Sequence, residues 1–210
     1  PDTKLGLDDM FELVRKADED YRTLQEKKEK LKQKIEEYRA KQQIVAPFRP
    51  LECDLHRVLH YRYITYRFGR IAVEFYHKMQ KYLMDDLKAI FVEGERDESY
   101  VYGVYFVSQA ETQKVDAVFR SLHFERIELK DEFEGTPDTA YRVLENEIAR
   151  VNLEIEDLDK QAGEMLADRA SQLVAARDRL EELSNNFDVR KLAATNCCLL
   201  YTSDAADELD

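Results

Sequence analysis

Two long segments with a heptad-like apolar pattern constrain the fold of this chain more than any other feature. In residues 7–46, alternating steps of four and three from Met10 reach apolar or aromatic side chains at nine of eleven positions. These positions are Met10, Val14, Ala17, Tyr21, Leu24, Lys28, Leu31, Ile35, Tyr38, Gln42 and Val45. Such spacing forms one apolar stripe along a helix and is typical of coiled coils. Pro47 and Pro50 predict the end of this helix, because proline disfavours helical geometry at the residue before it.

The second periodic segment is predicted to be a helix over residues 136–195. Thr136 is a favourable N-cap, and Pro137 suits the first helical position. The expected buried positions are Tyr141, Leu144, Ile148, Val151, Ile155, Leu158 and Ala162, and after a change of phase Leu166, Ala170, Leu173, Ala176, Leu180, Leu183 and Phe187. A change of phase locally unwinds a supercoil without ending the helix.

Neither helix can bury its apolar stripe alone. The simplest solution for one chain is to fold back, so that the two helices pair as a long antiparallel coiled coil. A homodimer that pairs each helix with its own copy satisfies the same pattern and stays an alternative.

The segment between the helices, residues 51–135, changes period. After a short helix containing Leu55 and Val58, strands are predicted over residues 61–68, 88–93, 100–107 and 124–129, and helices over 72–86 and 110–122. Gly69 is expected to end the first strand, and residues 94–99 to form the turn between the second and third. The order βαββαβ favours a ferredoxin-like sandwich. The predicted fold class is therefore α+β, a two-helix coiled coil with an inserted ferredoxin-like domain at its tip.

The charge balance disfavours two classes of partner. The formal net charge is −12, and none of the segments defined above is basic. Phosphate backbones and anionic lipid surfaces attract positive patches, so nucleic acid and membrane surfaces are unfavourable partners. Residues 102–106 faintly resemble the base-stacking strand of an RNA-recognition module, which leaves RNA binding as an alternative. No apolar run approaches the ~20 residues of a transmembrane helix.

The sequence contains no recognisable catalytic or phosphate-binding motif. Ser108 lies near a strand-to-helix junction but lacks a GxSxG motif around it. Gly69 and Gly94 are isolated, so no glycine-rich phosphate loop is present. We therefore expect no enzymatic activity, no catalytic residue, no cofactor and no small-molecule substrate.

Metal and disulfide sites are not indicated either. His56 and His60 are four residues apart and could chelate a metal on a helix, but they lack the HExxH pattern, and surface or packing roles are the simpler interpretation. The cysteines, Cys53, Cys197 and Cys198, are odd in number and lack CxxC spacing. They indicate a reducing, cytosolic setting rather than a disulfide framework.

Four short stretches carry a resemblance to a known family. They are Tyr66-Arg67-Phe68-Gly69-Arg70-Ile71, Tyr100-Val101-Tyr102-Gly103-Val104-Tyr105-Phe106, Phe124-Glu125-Arg126-Ile127 and Glu134-Gly135-Thr136-Pro137. In this order, and within the helix–insert–helix arrangement of residues 7–195, they resemble subunit I of the bacterial and archaeal V/A-type ATP synthases, the counterpart of subunit a in vacuolar ATPases.

The resemblance implies a non-catalytic stator subunit of a proton- or sodium-translocating rotary ATPase, which links the peripheral stalk to the membrane ion channel. It implies stalk subunits E and G as partners of residues 51–135, with the membrane rotor ring reached only through a C-terminal membrane half beyond residue 210. It also implies a location at the cytoplasmic face of a membrane complex, with this part soluble. The family's ion-translocating arginine has no matching position here. A generic coiled-coil scaffold protein is the remaining alternative function.

The ends of the sequence suggest a piece of a longer protein. Residue 1 is Pro rather than Met. Residues 196–210 are similar to translated adapter sequence, so we expect them to be a non-native tail.

Overall fold

The computed structural model describes residues 2–130 and 132–204, with side chains described for 6–130 and 132–196. Its fold is α+β, and the segment between two long helices in the sequence forms a four-stranded antiparallel sheet. The elements are α1 (Asp2–Val45), a 3₁₀ turn (Ala46–Phe48), α2 (Leu55–Leu59), β1 (Ile64–Ala72), α3 (Val73–Asp85), β2 (Ala89–Arg96), β3 (Tyr100–Ser108), a 3₁₀ turn (Gln109–Glu111), α4 (Thr112–Ser121), β4 (Glu125–Arg126) and α5 (Pro137–Asp204). No helix in the described part of the chain is both long and apolar enough to cross a membrane.

The chain divides into two compact units. The helical unit contains the described residues up to Lys30 and from Ile155 onward, and the α/β unit contains Leu31–Glu154. The helix α1 begins at Asp2, earlier than the predicted residue 7, and ends at Val45, next to the predicted end, and α5 begins at Pro137, next to the predicted start. The helix α5 continues to Asp204, so its predicted end at residue 195 is wrong. The side chains of Cys197 and Cys198 lie outside the described residues, and the non-native origin of the tail stays a prediction.

In the helical unit, α1 and α5 lie side by side and run antiparallel. Asp20 forms an ion pair with Arg169 at 3.7 Å, and Lys28 forms one with Asp159 at 2.7 Å. Rising residue numbers in α1 thus meet falling numbers in α5. The hydrogen bond to Asp159 is the largest cause of the raised pKa of Lys28.

Several predicted seam positions in the helical unit are wrong. In α1 the exposed positions are Val14 and Tyr21, whereas Leu13 and Asp20 are half-buried. In α5, Leu166, Ala170, Leu183 and Phe187 are exposed, and Met165 and Arg169 are half-buried. In a heptad repeat, the next buried residue can lie either three or four positions further along the helix. The sequence alone therefore does not determine which of two adjacent residues is buried. In the tertiary structure, the helix positions that face the partner helix are those that place Asp20 next to Arg169.

The α/β unit contains a sheet with the strand order β2-β3-β1-β4, in which all neighbours are antiparallel. Strands and helices follow one another as β1-α3-β2-β3-α4-β4, and α3 and α4 pack on one face. The predicted strand ends need three corrections. The strand β1 starts at Ile64 and continues to Ala72, β2 extends to Arg96, and β4 has two residues instead of six.

Gly69 does not end β1, because its missing side chain serves packing rather than a turn. It lies directly opposite Gly103 in the central strand pair. A Cβ at Gly69 would collide with the carbonyl oxygen of Glu125 and lie 2.5 Å from the ring of Phe124. Two facing glycines thus let aromatic rings lie close to the sheet on the side of α3 and α4.

The opposite face of the sheet is covered by the segments that enter and leave it. Phe48 is fully buried and packs edge-on against Phe68 at 5.3 Å. The same core contains Val45, Leu51, Leu55, Val58, Val104, Leu129, Phe133, Ala140 and Leu144. Arg49 joins the two segments, because it forms an ion pair with Asp138 at 2.9 Å and lies 4.0 Å from the ring centre of Tyr141. At the start of α5, the Thr136 hydroxyl accepts the Thr139 N–H at 3.2 Å, which confirms the predicted N-cap.

Candidate partner-binding surface

The residues considered for metal or catalytic chemistry do not form such a site in the structure. His56 lies on α2 and His60 directly after it, with ring centres 4.4 Å apart, and His60 Nδ1 lies 2.7 Å from the His56 carbonyl oxygen. No group of three potential metal ligands occurs among the described residues. Ser108 is exposed, and its carbonyl oxygen accepts the Thr112 hydroxyl. Burial raises the pKa of the Cys53 thiol, which lowers its reactivity.

The aromatic residues of β3 do not form a platform for RNA bases. Tyr105 is almost fully buried among Phe119 and Phe124, and the half-buried Tyr102 and Phe106 pack against the core that contains Phe48. Base stacking requires an exposed ring face. Core packing therefore accounts for the motif that resembled an RNA-recognition strand.

The clearest concave feature of the α/β unit lies beside β1, where β4 stops. Within the described residues, β4 pairs only with Gly69 and Arg70, and one further hydrogen bond joins Ile127 N–H to the Phe68 carbonyl. No strand among the described residues pairs with the first half of β1 on this side. A cavity of about 470 Å³ lies there, between β1 and residues 127–129.

Three arginines line this cavity, namely Arg62, Arg67 and Arg126. They come from the segment before β1, from β1 and from β4. Asp116 of α4 binds two of them, at 3.3 Å from Arg67 and 3.1 Å from Arg126. The Tyr105 hydroxyl donates to the same carboxylate at 2.6 Å. Burial, followed by this hydrogen bond, raises the pKa of Tyr105, so it stays a donor.

Within the described part of the chain, the donors of these arginines exceed the acceptors that they contact. Arg62 is exposed and forms no ion pair or hydrogen bond with any described residue. Arg67 donates from Nη1 to the Tyr66 carbonyl and from Nη2 to Asp116, but its Nε is buried without an acceptor among those residues. A buried donor left without an acceptor costs about 1–3 kcal/mol, so this region favours an additional anionic group.

An apolar surface adjoins the cavity. Ile64 and Tyr66 line the cavity, and the strand register places Tyr66 opposite Phe106 and Phe106 opposite Ile90. Ile90 on the edge strand β2 is 66% exposed. Tyr61 and Tyr63, just before β1, are also exposed, Tyr63 by 73%. Exposed tyrosine and arginine beside an apolar patch are typical of protein–protein interfaces.

The sequence reasoning assigned no partner-binding residues and missed this surface. A local signal was present, because residues 61–67 contain three tyrosines and two arginines around one isoleucine. In the sequence alone, this stretch predicts only a strand. The sequence does not show that Arg126 lies beside Arg62 and Arg67, because Arg126 is distant from them along the chain.

Comparisons with known proteins show a likeness of fold. No protein-family model and no curated protein matches the sequence. Among solved structures, the chain is similar to the crystal structure of the cytoplasmic N-terminal domain of subunit I, a homologue of subunit a, of V-ATPase. The TM-score is 0.50 at 12% identity, over 77% of this chain and 54% of the other. The chain thus spans about half the length of this neighbour, and the likeness shows the fold alone.

Proposed function

We propose that this chain is a non-catalytic stator component of a proton- or sodium-translocating V/A-type rotary ATPase, connecting the peripheral stalk to the membrane ion channel. The observation that carries the proposal is the likeness to the cytoplasmic N-terminal domain of subunit I over 77% of the chain. That neighbour is described as cytoplasmic, which supports a place at the cytoplasmic face of the membrane complex. The rotor ring would be reached only through a membrane half outside this sequence.

The proposal includes two details of the fold. The antiparallel contact of α1 and α5 is that of a coiled coil, and the sheet with α3 and α4 is a ferredoxin-like sandwich. The strand order, read from β4 as β4-β1-β3-β2, supports the second statement. The ion pairs Asp20–Arg169 and Lys28–Asp159, which follow the antiparallel order of the two helices, support the first.

A stator must resist torque, and the contacts within each unit are suited to this task. In the helical unit, ion pairs join α1 to α5 at two separate places. In the α/β unit, Arg49 joins the segment after α1 to the first turn of α5, and Lys41 forms an ion pair with Glu132 at 3.1 Å. Sliding of one helix along the other would break these pairs along with the apolar contacts.

The partners proposed for the α/β unit are stalk subunits E and G, bound at the surface formed by Tyr61, Tyr63, Ile64 and Ile90. This surface combines exposed aromatic and aliphatic side chains with arginines, the residue types that dominate binding energy at interfaces. No nucleic acid, cofactor or small-molecule substrate is part of the proposal.

The test is binding of a purified E–G heterodimer to the whole chain, measured by calorimetry. We expect binding by the unaltered chain and at least tenfold weaker binding by Ile90→Asp, because a charge placed in an apolar contact costs more than 1.4 kcal/mol. The matched control is Met84→Asp, since Met84 is 85% exposed on α3 and lies outside the proposed surface. Absence of binding by the unaltered chain would overturn the stator proposal.

Two alternatives remain, and each has a distinct observable. A generic coiled-coil scaffold protein should bind no E–G heterodimer. A homodimer built by pairing each helix with its copy should show twice the mass of 24.8 kDa in light scattering, whereas the antiparallel pairing within one chain gives the monomer mass.

A further inference from the structure

The cavity beside β1 concentrates positive charge in a strongly acidic chain. Among the residues that the structure describes, its three arginines face two carboxylates, those of Asp116 and Glu128. One positive charge is therefore in excess at this place, although the chain as a whole carries −12. Like charges of three guanidinium groups around one cavity repel one another, and an incoming anion relieves that repulsion.

The geometry also supplies unused donors in two positions. Arg62 donates to no described residue, and the Nε of Arg67 is buried without an acceptor. Arginine binds carboxylates through paired N–H groups in a planar fork. Because Asp116 already orients Arg67 and Arg126, these guanidinium groups lose little further freedom when an anion binds.

We propose that this cavity binds a single carboxylate from an acidic segment of a protein partner, and that Arg62 and Arg67 are its principal ligands. The inference rests on the proposed function in one respect, since the partner segment is assigned to the E–G stalk heterodimer. The neighbouring apolar surface with Tyr63 and Ile90 favours a protein segment over a free anion, because a peptide can cover both regions at once.

The charge at the cavity selects a carboxylate rather than a phosphate. The excess of one positive charge matches a monoanion. A phosphate group carries about −1.5 to −2 at neutral pH, and its extra charge would face the carboxylate of Glu128 in the cavity wall. Glu128 is exposed and forms no ion pair with the described residues, so it also weakens carboxylate binding to a smaller degree.

The first test uses acetate and inorganic phosphate as probes and the arginine Nε–H resonances of the whole chain as the readout. Acetate should move the Arg67 Nε–H proton resonance to higher frequency in a saturable way, because this buried donor gains a charged acceptor. Arg62→Gln should weaken acetate binding by about tenfold, the equivalent of one charge-assisted hydrogen bond. Glu128→Gln should tighten it. Phosphate binding as strong as acetate binding would overturn the carboxylate assignment.

The matched control is Arg120→Gln, which removes the same charge from an exposed position on α4 outside the cavity. It should leave acetate binding unchanged. An equal loss in Arg120→Gln and Arg62→Gln would attribute the effect to net charge and overturn the site. Unaltered acetate binding in Arg62→Gln would overturn it as well.

The second test separates this inference from the stator proposal. If the E–G heterodimer binds the unaltered chain, Arg62→Gln should weaken that binding by about tenfold, and an unchanged affinity would overturn the carboxylate site while the stator role stands. If the heterodimer does not bind at all, the stator proposal fails. The acetate titration then tests the site independently. A saturable shift that needs about tenfold more acetate in Arg62→Gln supports the site, and the absence of a shift overturns it.

Discussion

Replacing Gly69 with alanine tests how the central strands pack. The added Cβ would collide with the backbone carbonyl oxygen of Glu125 and lie 2.5 Å from the ring of Phe124. A flexible side chain could move away, but a carbonyl oxygen moves only with its strand. Because β4 pairs with β1 through just two residues, Gly69 and Arg70, we expect the strain to detach β4.

The magnitude follows from two opposing terms. Overpacking a filled site costs about 1–3 kcal/mol, and the backbone clash places Gly69→Ala at the upper end. Alanine also reduces the conformational entropy of the unfolded chain, which stabilises the folded state by about 0.4–1 kcal/mol. The free energy of unfolding of the α/β unit should therefore fall by about 2 kcal/mol.

The matched control is Gly163→Ala in the same chain. Gly163 lies within α5, and a Cβ there would meet no atom within 4 Å. Alanine at an exposed helical position stabilises the helix by about 1 kcal/mol relative to glycine. The two substitutions, chemically identical, should thus change stability with opposite signs.

The assay combines urea denaturation followed by tyrosine fluorescence with hydrogen exchange read by mass spectrometry. In Gly69→Ala, peptides covering residues 124–129 should lose protection, since the Ile127 N–H that donates to the Phe68 carbonyl would be released. Unchanged or increased stability, or unchanged protection of this segment, would refute the packing argument.

Three further predictions concern other parts of the α/β unit. Phe48→Ala should lower its free energy of unfolding by about 3–5 kcal/mol in the same denaturation assay, because the ring is fully buried; a smaller loss than in Phe48→Leu would contradict this. Thr136→Ala should cost about 1 kcal/mol through loss of the N-cap of α5, whereas Thr136→Ser should be nearly neutral. Burial and a hydrogen bond to Glu93 raise the pKa of Tyr76 to about 12, above the ~10 of an unfolded chain. Its stabilisation should be present below pH ~10 and lost as the pH rises toward 12, and Tyr76→Phe should remove this loss in alkaline denaturation curves.

Local signals determined the boundaries of several elements. Pro47 marks the end of α1 within two residues, and Thr136 with Pro137 marks the start of α5, because caps and prolyl rings act through the backbone of adjacent residues. The order of strands and helices between them was also predictable from changes in apolar period. The exact strand ends were not, as the two-residue β4 shows.

Only the tertiary structure decided what each position contacts. In the sequence, Gly69 predicts the end of a strand, yet it lies in the middle of β1. A glycine is required there because the ring of Phe124, from a later segment, occupies the space of a side chain. Val14 and Leu13 both fit a heptad, and the structure shows that Leu13 is half-buried and Val14 exposed. The cavity likewise depends on Arg62 and Arg126, which meet only because β1 and β4 are neighbours in the sheet. The sequence by itself determined the elements and their order, since backbone preferences are local, whereas the buried faces and the arginine cavity required contacts between residues that are distant along the chain.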